Sequence, residues 1–164
     1  MAITFVDAWR KCDPHQEAEA CAFWARHKVR PDDADANIVA KQLAVLAYDD
    51  GALIGISTVS VSYFDPLQEK FGFVREFVTS NLKLDHINIE LTQKTLEVIE
   101  AYAQAHPEEE LAGMAVILKA PGIGQRAISP GGRLILMGYT EQNEQVRACW
   151  FDHFRVKSRL SATD

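Results

Sequence analysis

Cysteine is scarce in this chain and poorly spaced for chemistry. Cys12, Cys21 and Cys149 are odd in number, far apart and without a C-x-x-C pair, so neither a disulfide framework nor a zinc site is suggested. The five histidines, His15, His27, His86, His106 and His153, also lack the short spacings of a ligand set, so no metal is expected. Long hydrophobic runs are missing too. The first seven residues hold neither a basic segment nor a sustained apolar stretch, so neither a signal peptide nor a membrane span is expected and the cytoplasm is the expected compartment. Basic side chains are in deficit, 17 against 23 acidic for a net charge of −6, and this excludes a general nucleic-acid binder, whose footprint is a basic face. No linker, repeat or low-complexity stretch interrupts the sequence. What is present is an ordinary soluble composition, 48% hydrophobic over 164 residues, long enough to bury its own core. We expect one domain over residues 1–156 and a charged tail over 157–164.

The punctuation of the chain gives the order of its elements. Asp13-Pro14-His15-Gln16 combines an acidic N-cap, a proline at the first helical position and a glutamine placed to close a capping box. The stripe Ala18, Cys21, Ala22, Trp24 and Ala25 continues that helix until shortly before Pro31, and a second, shorter helix is expected over 34–41, capped by Asp32 or Asp33. Residues 43–48 and 52–60 flank Asp49-Asp50-Gly51, a strong hairpin signal. A third strand is expected over 71–78, with Gly72 marking a bulge or bend. A long helix follows, with Leu84, Ile87, Leu91, Val98 and Tyr102 on one face and Glu90, Lys94, Glu97 and Glu100 mostly opposite. After it come a strand over 113–118, a Gly/Pro-rich connection over 121–132 and a terminal hairpin from 134–139 and 145–151. A strand–helix–strand crossover inside otherwise antiparallel pairing predicts an α/β fold, a mixed, mostly antiparallel central sheet with helices on both faces.

This order over residues 3–154, with the residues around the third strand and the long helix, resembles the Gcn5-related N-acetyltransferase superfamily. In that family a loop of the form Arg/Gln, two residues, Gly, one residue, Gly/Ala leads into the long helix and binds the pyrophosphate of acetyl-CoA. Lys83 holds the first of these positions here. His86 and Asn88 hold the two small-residue positions, and Ile87 and Leu91 keep the apolar spacing. The resemblance implies acetyl-CoA or another acyl-CoA as co-substrate, contacted by Lys83, His86, Ile87 and Asn88. It also implies transfer of the acyl group to an amine, a small molecule or a basic side chain, with the thioester oxygen polarised by backbone N–H groups near Phe77 and Val78. Glu76 would be the general base and Tyr139 the candidate donor to the departing thiolate. Because His86 and Asn88 add side chains where the family keeps glycine, and Asp85 adds a negative charge beside them, the alternative is a non-catalytic binding or assembly module of the same fold.

Each residue also has a simpler reading. Glu76 suits a strand-face charge paired with a Lys or Arg, Tyr139 a half-buried strand aromatic, and His86 a polar residue of a helix's first turn. Gly122-Ile123-Gly124 reads as a turn, the scattered aromatics as core, and Cys149, inside an apolar stretch, as an inert buried thiol. The edge of the terminal hairpin is open to pairing with a second copy of the chain.

Overall fold

A computed structural model describes residues 3–29, 35–79, 86–118, 128 and 132–156. Seven strands, β1 (Ile3–Asp7), β2 (Leu43–Asp49), β3 (Ala52–Phe64), β4 (Glu69–Val78), β5 (Leu111–Leu118), β6 (Ile135–Tyr139) and β7 (Gln145–Trp150), form one sheet in the order β1-β2-β3-β4-β5-β7-β6. Every neighbouring pair is antiparallel except β4 and β5, which are parallel and joined by the crossover helix α3 (Ile87–Ala105). Among the described residues, two further α-helices are α1 (Pro14–His27) and α2 (Ala36–Ala40).

Local chemistry sets the boundaries. Asp13 accepts from the Gln16 amide at 2.8 Å while the Gln16 side chain accepts from the Asp13 amide at 3.0 Å, so the expected capping box is complete. At the β2–β3 hairpin Asp50 and Gly51 have φ of 46° and 82°, the left-handed pair that matches strand twist. Both faces of the sheet are covered. Phe23 and Trp24 of α1 and Val39 of α2 pack with Leu46 and Ile56 on one face. On the other, α3 lays Ile87 and Leu91 against Val45 and Ala47, and Leu96 and Ile99 against Val59, Val74, Met114 and Val116. The mixed α/β sheet expected from the element order is the one observed. No helix among the described residues is long and apolar enough to cross a membrane.

Several expectations need correction. The N-terminal strand β1 was not anticipated: with only five residues, three of them half-buried and alternating with exposed ones, it has too little apolar character to stand out. α2 is capped by Asp35, whose side chain accepts from the Asn37 amide at 2.9 Å; Asp32 and Asp33 lie outside the described residues. So do Leu84, most of the 121–132 connection with Gly122-Ile123-Gly124, and the tail 157–164. Gly72 is not a bulge, since it keeps Val61 and Met114 as ladder partners and the register shift lies between Lys70 and Phe71. Its role is close approach: a Cβ there would lie 3.0 Å from Val59 Cγ1 and 3.6 Å from Ile99 Cγ2, so glycine lets α3 settle on the sheet.

Candidate functional site

The β4–β5 ladder stops part-way along both strands. Its last pair is Val74 with Val116, yet β4 continues beside β3 as far as Val78 and β5 continues beside β7 as far as Leu118. Residues 75–78 therefore form no ladder pair with β5, which leaves an opening in the pairing between the two parallel strands. The first turns of α3 lie beside it, with Ile87 in the same apolar cluster as Val78 and Thr92 hydrogen-bonded to Glu76. Asn88, Thr92 and Leu96, spaced by four, lie on one stripe of the helix. Leu96 is buried, Thr92 is half-buried and Asn88 is exposed, as expected if the sheet beneath the stripe gives way towards the N-terminal end of α3.

Alternation along β4 determines what faces the cleft. The Thr79 amide donates to the Ile54 carbonyl on β3 at 2.8 Å, and β3 and β4 run without a register shift. In an antiparallel ladder, Phe77 and Arg75 then turn their backbone groups towards β3, while Glu76 and Val78 turn theirs to the open side. Of the two expected backbone donors, Val78 turns its amide to the open side and Phe77 does not: the Phe77 amide belongs to the ladder with Ile56, and its ring packs under α1 against Phe23 at 5.6 Å. Glu76 turns the other backbone amide to the open side.

The Glu76 side chain points to the α3 face of the sheet. Thr92 Oγ1 lies 2.8 Å from its Oε2, while Oε1 is buried with no hydrogen-bond partner among the described residues. The counter-charge of a strand-face glutamate is absent among those residues. Across the strand stands Ser57, fully buried and 2.7 Å from Thr95 of α3. Burial in this setting raises the Glu76 carboxyl from its ordinary value near 4.5 to about 8, with the Thr92 hydroxyl opposing the shift. A carboxyl poised there gains and loses its proton near neutrality, which is what a general base requires.

The other expected residues are placed less centrally. His86 is the N-cap residue of α3, exposed and making no side-chain capping bond, while Ile87 is buried in the core under the helix and available only through its backbone. Lys83 lies outside the described residues. Tyr139 ends the edge strand β6, is 49% exposed, and is separated from β4 by β7 and β5, so the structure does not bring it to Glu76. Thr92 was not anticipated. Its only sequence signal is its place four residues after Asn88 on the stripe under α3. Cys149 is buried and its thiol is pushed up to about 11 by desolvation, in keeping with an inert core residue. Among the described residues no three His, Cys, Asp or Glu side chains converge as metal ligands.

No protein-family model matches the sequence, and no curated protein matches it. Solved structures do. An acetyltransferase of the GNAT family from Streptococcus pneumoniae superposes with a TM-score of 0.57 at 12% identity, over 92% of this chain and 99% of that one. A bacterial toxin superposes with a TM-score of 0.58 at 15% identity, over 93% and 92%. NAA60 of Arabidopsis thaliana in complex with acetyl-CoA gives 0.54 at 14% identity, over 92% and 99%. At these identities the likeness is one of architecture, and it agrees with the strand order, the single parallel pair and the crossover helix: the chain has the fold of the Gcn5-related N-acetyltransferases, the acyl-CoA N-acyltransferase-like α/β fold.

Proposed function

We propose that this protein is an N-acyltransferase that moves an acetyl or other acyl group from a CoA thioester to an amine. The observation that carries the reading is the coincidence of the β4–β5 opening with the half-buried Glu76, whose carboxyl is raised to about 8, under α3. An ammonium acceptor gives a proton to ionised Glu76. The free amine attacks the thioester carbon, and as the new C–N bond forms the C–S bond breaks; the nitrogen sheds its surplus proton to become the amide, and the departing thiolate takes up that proton to leave as the free thiol. Negative charge gathers on the thioester oxygen during attack, and the Val78 amide is the donor turned to that side of β4. Glu76 Oε1, without a partner among the described residues, fits a site that a second group completes; in this reading His86, Asn88 and the first backbone amides of α3 meet the anionic end of an acyl-CoA, with Lys83 preceding them in the chain. A net charge of −6 favours cationic acceptors, polyamines or basic side chains, by steering.

The exposed side chains of His86 and Asn88 at the two small-residue positions favour a second reading, a non-catalytic binding module of the same fold. Thiol release from acetyl-CoA, followed with a panel of polyamines and basic peptides, separates the two. The acyltransferase reading expects turnover that drops by about 10²–10⁴ in Glu76→Gln. Turnover equal in wild type and variant removes Glu76 from the mechanism.

A further inference from the structure

Thr92 is tied to two acceptors by one proton. Its Oγ1 lies 2.8 Å from Glu76 Oε2 and 2.8 Å from the carbonyl oxygen of Asn88, one turn earlier in α3. A threonine in a helix commonly returns its hydroxyl proton to the carbonyl four residues back. A hydroxyl has one proton to give and lone pairs to accept with, so both contacts are satisfied together only when Glu76 carries the proton of their shared bond.

We propose that Thr92 is the positioning residue of the cleft: it holds the Glu76 carboxyl under the first turns of α3 and redirects its hydroxyl as Glu76 changes charge. With Glu76 ionised, the hydroxyl donates to Oε2 and leaves the Asn88 carbonyl to the helix ladder. With Glu76 protonated, the carboxylic acid donates to Oγ1 and the hydroxyl turns to Asn88. Each state keeps a hydrogen bond between strand and helix, so the carboxyl need not swing away when it accepts the proton of an incoming ammonium. The role in turnover rests on the acyltransferase reading, but the hydrogen-bond exchange does not.

The surroundings leave Thr92 with little competition. From β3 the facing group is Ser57, whose hydroxyl is engaged by the Val45 amide at 3.1 Å and by Thr95 at 2.7 Å. On β4 itself Val74 and Val78 share the face, while Arg75 alternates to the other side. On α3 Lys94 pairs with Glu97 at 2.9 Å, and Glu90 is exposed. On the far wall of the cleft Arg147 of β7 faces the same side beyond Val116, and its Nε and Nη2 both donate to Gln145 Oε1 at 3.1 Å.

The test is a carbon-13 NMR titration of protein labelled at the glutamate carboxyl carbons, with the Glu76 signal identified by its loss in Glu76→Gln. Wild type is expected to titrate near 8, and Thr92→Val, which removes the hydroxyl at constant shape, to titrate about one pH unit higher, a tenfold smaller ionised-to-neutral ratio at neutral pH. Thr92→Ser should return the midpoint to the wild-type value. Thr92→Ala serves as a second hydroxyl-free variant if valine disturbs folding. In kinetic assays the ascending limb of kcat/KM against pH should follow the same displacement. An unchanged midpoint in the valine and alanine variants, or a serine variant that behaves like valine, overturns the role of Thr92. Midpoints that move as expected in a protein that turns over no acyl donor leave Thr92 in place and count against the acyltransferase reading alone.

Discussion

Replacing Glu76 by glutamine should make the protein more stable at high pH. The carboxyl rises from near 4.5 to about 8 on folding because it is desolvated on the sheet face under α3, with a single hydroxyl for a partner. A raised acid binds its proton more tightly in the folded state, so its contribution is fully favourable below the unfolded value and is lost as pH climbs through the folded one. The window therefore runs from about 4.5 to about 8. Across roughly 3.5 pH units at 1.36 kcal/mol per unit, the wild type loses at most about 5 kcal/mol that a neutral isostere keeps. Urea unfolding of wild type and Glu76→Gln at pH 5, 6, 7, 8 and 9 measures this directly. The stability of the variant relative to wild type should rise by about 3–5 kcal/mol from pH 5 to pH 9, with an unchanged urea m-value. A difference that stays flat within about 0.5 kcal/mol would refute the burial of this carboxyl and, with it, its selection as a base.

Other perturbations test the frame around the cleft. A Cβ on Gly113 would sit 2.2 Å from the Cys149 carbonyl oxygen and 2.5 Å from the Phe71 ring, so Gly113→Ala should cost about 3 kcal/mol in chemical unfolding, and a cost below about 0.5 kcal/mol would mean that β5 and β7 are not packed this way. Arg133 grips Glu100 through two bonds of 2.6 and 3.0 Å, lowering the Glu100 carboxyl, while the Asp152 amide donates to Glu100 at 3.0 Å. A lowered acid contributes above its unfolded value and loses that contribution as pH falls. Glu100→Gln should therefore be about 1–2 kcal/mol less stable at pH 7, with the deficit closing towards pH 3; an equal deficit at both pH values would count against the ion pair.

Much of the frame was legible because it is written in local chemistry. Asp13, Pro14 and Gln16 place the start of α1, Asp50-Gly51 places the β2–β3 turn, and the single long amphipathic segment between strands implies the parallel pair β4–β5. β1 was not legible, since five residues at a sheet edge carry little periodicity and are ordered by their ladder with β2. For the site, Arg75 and Glu76 alternate in the sequence, but alternation alone does not say which of them lies under a helix. That depends on the side of the sheet to which α3 crosses, and only the fold supplies it. The same dependence hid Thr92 and misplaced Phe77 among the backbone donors, because the direction of an amide follows from ladder register rather than residue type.

In the proposed function, the opening between β4 and β5, beside Glu76, receives an acyl-CoA. Isothermal titration calorimetry with acetyl-CoA and with longer acyl-CoAs, on wild type and on His86→Glu, tests it most directly. One site per chain is expected, weakened by the negative charge placed at the N-cap of α3. No binding of any acyl-CoA at millimolar concentration, or binding indifferent to that charge, would contradict it.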